Sequence, residues 1–64
     1  MDLKSLCEYY YPLVYGYLIS LTGGDKVTAE DLAQETFLQA IGSIDRYRGD
    51  AKLSTWLCGI GKNL

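Results

Sequence analysis

Asp31, Gln34, Glu35 and Leu38 recur at i, i+3, i+4 and i+7, so a helix through them carries all four in one row. Two carboxylates, an amide and a leucine do no covalent chemistry together. They make a recognition stripe, with acids and an amide for a basic protein surface and an apolar contact beside them. A fold alone does not ask for that row. A second group is Asp45-Arg-Tyr-Arg-Gly-Asp-Ala-Lys52, which sets an aromatic between two arginines next to a glycine. Such a stretch serves as a plain helix connector, or it holds a backbone phosphate and stacks a base. Catalytic machinery is not legible. The chain has no histidine and no Ser-His, Cys-His, paired-carboxylate or phosphate-loop arrangement. Cys7 and Cys58 are far apart, outside any CxxC, and cannot form a four-ligand zinc site. They read as small buried hydrophobes. The expectation is a binding module with no catalytic residue, metal or cofactor.

The elements that position these groups read as helices. From Thr28 to Ile44, the residues Ala29, Leu32, Ala33, Thr36, Phe37, Ala40, Ile41 and Ile44 form an apolar stripe. The Asp31 row lies diametrically opposite. Thr28 reads as the N-cap, with Asp31 at N3 and Val27 with Leu32 as a hydrophobic staple. Capping alone would account for Asp31, but not for Gln34, Glu35 or Leu38. The segment from Asp2 to Leu21 keeps the helical period through Leu3, Leu6, Cys7, Tyr10, Leu13, Val14, Tyr17, Leu18 and Leu21. Pro12 lacks an N–H, which predicts a kink, or a helix ending near Tyr11 and another starting at Pro12. Gly23-Gly24 stops the segment. Tyr9, Tyr10, Tyr11, Tyr15 and Tyr17 go all round it, so some must face solvent. A last helix, Leu53 to Leu64, starts at an N-cap of Ser54 or Thr55. Leu53, Trp56, Leu57, Ile60 and Leu64 form its apolar side. Gly59 and Gly61 weaken it by about 1 kcal/mol each relative to alanine. The class is all-α, a single domain of three to four helices over residues 1–64.

A chain of 64 residues makes one small core. It buries only about 60% of the surface its unfolded form exposes. No apolar run reaches membrane-spanning length. Met-Asp-Leu-Lys at the start is no signal peptide, which predicts a cytoplasmic protein. The net charge of −2 is uneven. Residues 1–45 hold seven acids against Lys4 and Lys26, a balance of −5. Residues 46–64 hold Arg46, Arg48, Lys52 and Lys62 against Asp50, a balance of +3. The acidic part suits a basic protein surface and the basic part suits phosphates.

Three stretches then carry a resemblance. Asp31-Leu-Ala-Gln-Glu-Thr-Phe-Leu, Ile44-Asp-Arg-Tyr-Arg-Gly-Asp and Ser54-Thr-Trp-Leu-Cys-Gly-Ile-Gly-Lys-Asn-Leu64 resemble region 2 of bacterial sigma factors of the extracytoplasmic-function group. Tyr10-Tyr-Pro-Leu-Val-Tyr and Leu21-Thr-Gly-Gly-Asp are similar to that group's first helix and turn. The resemblance implies that Asp31, Gln34 and Glu35 dock on a coiled coil of the RNA polymerase β′ subunit, and Leu38 completes the same helical row as part of that surface. It implies that the loop and last helix bind the non-template strand of the −10 promoter element and hold an unstacked base. The matching positions are Tyr47, Arg48, Gly49, Asp50, Ala51, Lys52, Ser54, Thr55, Ile60 and Asn63, and Lys62, beside Asn63 on the helix, is read with them as a DNA contact. Asn63 suits a base edge, and Arg48 and Lys52 suit phosphates, as two sides of one cleft. Tyr47 is either a stacking face or the loop's anchor. Trp56 reads as core in preference to a melting wedge. The resemblance also implies an anti-sigma factor as a partner.

Gly59 and Gly61 depart from the family, where a basic residue and an alanine are common. The last segment carries no stop signal, so the sequence reads as cut before a basic C-terminal end and a second DNA-binding domain. A weak last helix with apolar residues predicts self-association. The other reading, from a different class, is a helical protein-interaction module, anti-sigma-binding or self-associating, without DNA contact.

Overall fold

The computed structural model describes residues 2–64. Its elements are α1 (Leu3–Leu21), α2 (Lys26–Ser43), a 3-10 turn (Ile44–Arg46) and α3 (Leu53–Lys62). The three helices touch one another pairwise around a single core, and among the described residues there is no strand. The fold is therefore all-α.

Val14 and Leu18 of α1, Ala29, Ala33, Phe37 and Ala40 of α2, and Leu57 of α3 make the core. The three alanines let α2 come close to its neighbours, and aromatics fill the flank. Tyr11 stacks on Phe37 at 5.9 Å between ring centroids, tying α1 to α2. Thr36 is fully buried and its hydroxyl donates to the Leu32 carbonyl at 2.7 Å, so the polar group is satisfied within its own helix. Gly61 is the point of closest approach of α3. A Cβ there would stand 3.0 Å from Thr36 Oγ1 and 3.1 Å from Leu18 Cδ2. The glycine that costs helix propensity thus admits α3 to the core.

Several sequence expectations shift. Helix α1 runs through Pro12 without a break. Pro12 and Glu8 both sit on the exposed side, so the Glu8 carbonyl that proline leaves without a donor is open to solvent instead of buried. Leu3, Leu13 and Leu21 follow the helical period yet stay exposed. For Leu3 and Leu21, at the two ends, the reason is length: α1 has 19 residues, about 28 Å at 1.5 Å per residue, whereas α3 has 10, and Leu13 instead borders an open groove beside α3. The shorter helix cannot cover the whole flank. Ile41 is also exposed, at 43%, and Leu64 lies beyond the end of α3.

Helix α2 starts one turn earlier than expected. Its N-cap is Asp25, not Thr28. The Thr28 N–H donates to Asp25 Oδ1 at 3.2 Å and the Thr28 hydroxyl donates to Oδ2 at 2.6 Å. Aspartate caps at least as well as threonine, and the longer helix gains a turn of backbone bonds. Val27 then falls inside the first turn, 71% exposed, and forms no staple. Gly23 and Gly24, with φ of 69° and 93°, end α1, and the Gly24 N–H closes on the Ile19 carbonyl at 2.8 Å.

Helix α3 has Lys52 at its N-cap, with no side-chain bond there, and Ser54 and Thr55 lie within its first turn. Starting at Leu53 places Leu53, Leu57 and Gly61 on one face, turned to the core. Asn63 is the C-cap of α3, its N–H reaching the Ile60 carbonyl at 3.1 Å, with Lys62 in the last turn.

Candidate interaction surfaces

Helix α2 turns Asp31, Gln34, Glu35 and Leu38 to solvent, with Leu38 66% exposed. Because the cap is Asp25, Asp31 lies in the second turn and is not a capping acid. The row adjoins a groove of about 330 Å³ between α1 and α2, lined by Cys7, Tyr11, Gln34, Phe37, Leu38 and Ile41. A polar row and an apolar groove therefore form one surface. The sequence reading places Phe37 and Ile41 in the core and misses the groove. The available signal is a shared flank: Cys7 and Tyr11 are four apart on α1, as are Phe37 and Ile41 on α2.

The second surface is the segment after α2. Gly49, with φ of +81°, reverses the chain between Arg48 and Asp50. The Tyr47 N–H closes the 3-10 turn on the Ile44 carbonyl at 3.1 Å, and the Tyr47 hydroxyl donates to the Ala51 carbonyl. The Tyr47 ring rests against Trp56 at 5.0 Å, tilted by 37°. A pocket of about 220 Å³ results, lined by Arg46, Tyr47, Arg48, Asp50, Ala51 and Trp56. Two guanidinium groups donate, a carboxylate accepts and two rings offer faces. That set suits a planar polar ring next to an anion. Tyr47 both lines this pocket and ties the loop together through Ala51 and Trp56.

The structure brings Tyr47, Arg48, Asp50 and Ala51 together and adds Arg46 and Trp56, which sequence reasoning leaves out of the site. Arg46 belongs to it because the 3-10 turn swings the chain round, and no periodicity announces such a turn. Lys52 is exposed beside the loop. Ser54 and Thr55 line a different groove, of about 370 Å³, with Leu13, Tyr17, Cys58 and Gly59. Ile60 packs half-buried against the core. Lys62 and Asn63 are exposed at the far end of α3. Asn63 follows Trp56 by seven residues, about 10 Å along the same flank. The single cleft expected for loop and helix is thus a pocket plus a flank.

Burial raises both the Cys7 and Cys58 thiols above their ordinary value, so they stay protonated near neutrality. Both are free, and among the described residues no three His, Cys, Asp or Glu side chains group as metal ligands. Hydrogen bonds from Thr28 hold the Asp25 carboxyl below its usual range. The Ser5 N–H does the same for Asp2 at the start of α1. No helix among the described residues is long and apolar enough to cross a membrane.

Comparison with known proteins gives a consistent set. Residues 6–64 match the family model described as sigma-70 region 2. The chain is 36% identical over 56 residues to RNA polymerase sigma factor YlaC of Bacillus subtilis (strain 168), covering 88% of this chain and 32% of that protein. It is 38% identical over 63 residues to ECF RNA polymerase sigma factor SigM of the same organism, covering 98% of this chain and 37% of the relative. Over 40 residues it is 45% identical to ECF RNA polymerase sigma factor SigC of Mycobacterium tuberculosis (strain CDC 1551 / Oshkosh), covering 62% and 22%. The chain thus spans between 22% and 37% of the length of these relatives. No solved structure matches it at comparable significance.

Proposed function

The chain belongs to the sigma-70 region 2 family, and on that premise we propose that it docks on the β′ coiled coil of RNA polymerase core and engages the −10 promoter element to start transcription. The observation that carries this reading is the separation of two unlike surfaces on one small core. The α2 row offers acids and an amide beside an apolar groove, and the loop offers cations around a pocket.

In this reading Asp31, Gln34 and Glu35 meet basic side chains of the coiled coil, and Leu38 with the adjoining groove receives an apolar one. An anti-sigma factor that covers this face blocks docking. On the other side, Arg48 and Lys52 take phosphates of the non-template strand. Gly49, Asp50 and Ala51 shape the pocket for an unstacked base. Ser54, Thr55, Lys62 and Asn63 extend the contact along α3. The chain binds and positions; it carries out no reaction of its own.

The test is capture of RNA polymerase core. Gln34→Ala combined with Glu35→Ala changes two exposed side chains, so helicity and melting temperature stay nearly constant. Capture is expected to be lost. Capture at the unmodified level would reject the docking assignment.

A further inference from the structure

We propose that the Tyr47 hydroxyl is the latch that gives the loop pocket its selectivity for one base, acting through the Ala51 carbonyl. This rests on the reading of the loop as a base pocket. The pocket walls Arg46, Arg48, Asp50 and Ala51 are all exposed and lie outside the α-helices. Among the described residues, the bond from Tyr47 to Ala51 is the one hydrogen bond that spans the loop between the 3-10 turn and Lys52. The Gly49 reversal aims the returning backbone at Tyr47, and the ring contact with Trp56 ties the closed loop to α3. The ring locates the loop, and the hydroxyl fixes the returning limb that carries Asp50.

Asp50 brings the one carboxylate to the pocket lining, and Arg46 and Arg48 bring donors to the same lining. Telling one base from another requires acceptor and donors to be held at set positions, because discrimination comes from hydrogen bonds made or left unmade. With the latch open, Asp50 moves with its limb while the arginines still hold phosphates. A loose pocket binds, but it does not choose. Tyr47 is therefore a positioning residue.

Tyr47→Phe keeps the ring and removes only the hydroxyl. The experiment measures open-complex formation by the holoenzyme on promoters varied one base at a time. Trp56, the single tryptophan, reports on the isolated chain through quenching by acrylamide. The expected result is that the ratio between the best and worst base at one position shrinks about tenfold, within the range a good base contact supplies. Trp56 becomes easier to quench and far-UV circular dichroism is unaltered. An unchanged ratio overturns the latch while leaving the base pocket standing. Equal loss on every promoter also overturns it and makes the bond merely structural. No base preference in the unmodified holoenzyme overturns both the pocket and the latch.

Discussion

The α1–α2 face and the loop pocket are built by different physics. On the α2 face every side chain is placed by the helical repeat, and its partners on α1 are held by the same core that folds the domain. The loop pocket has no repeat behind it. Its shape depends on one left-handed glycine, one side-chain hydrogen bond and one ring contact. The first surface fails only when the core fails, whereas the second can fail alone. On the proposed function, holding a large partner and selecting among nucleotides both gain from this division.

The largest expected effect should break both regions together. Phe37→Ala removes the ring that Tyr11 stacks on, a loss of about 3–5 kcal/mol. Domains of this size hold only about 3–10 kcal/mol in all. Circular dichroism is expected to show loss of most helix, and polymerase capture and promoter opening should disappear with it. Retained capture would show that the α2 face does not depend on the core.

Next come substitutions that divide the proposed DNA surface. Asn63→Ala is expected to change which promoter base is preferred, with about 1–3 kcal/mol of discrimination at stake. Lys52→Ala should weaken all promoters alike and lower the salt slope by about 1. Promoters varied singly at two salt concentrations separate the two outcomes. If both variants lower every promoter by one factor, Asn63 does not read a base.

Gly49→Ala tests whether the loop fails alone. A side chain at φ +81° costs about 1–2 kcal/mol, and that strain falls on the loop. Promoter opening should drop with polymerase capture intact. Loss of capture would mean that the two regions are coupled.

Smaller still is the effect at the common support. Gly61→Ala gains up to about 1 kcal/mol of helix propensity, but its Cβ meets Thr36 Oγ1 at 3.0 Å. The melting temperature should fall in the unmodified background and fall less when Thr36→Ala is present, the contact with Leu18 Cδ2 at 3.1 Å remaining in both. A cycle of the four proteins measures the coupling.

Acid offers a gentle separation. Asp2 and Asp25 have folded-state values below the usual carboxylate range, so their stabilisation is present above the unfolded value and is lost as pH falls through the folded one. Helices α1 and α2 should fray from their N-termini below about pH 4. Helix α3, with Lys52 at its cap, has no carboxylate cap to lose. Residue-resolved hydrogen exchange at pH 5 and pH 3 checks the order.

The same contrast explains what the sequence made legible. Periodicity placed Ala29, Ala33, Thr36, Phe37 and Ala40 inside and the Asp31 row outside, because a helix turns spacing into faces. It misplaced Ile41 and Leu13, because a repeat says which residues point one way and not how far a neighbouring helix reaches. The α2 cap was missed because Asp25 and Thr28 are both good caps three residues apart. Which one starts the helix depends on the Gly23-Gly24 turn before it. In the loop, composition suggested phosphate and base contacts. It did not separate Ser54 and Thr55 from the pocket, nor include Arg46, because a 3-10 turn and a left-handed glycine set those directions.

The order in which the core closes has a consequence for biosynthesis. Leu57 and Gly61, the last buried residues, come from α3. A ribosome adds about 5–20 residues per second. The stretch from Ile44 to Lys62 therefore takes roughly 1–4 s to add, and until α3 has been made nothing in the chain can cover Val14 and Leu18 from its side. A newborn chain of this kind carries unfinished apolar surface until its last buried residues emerge, and anything that shields Val14 and Leu18 in the meantime occupies the place that Leu57 must take.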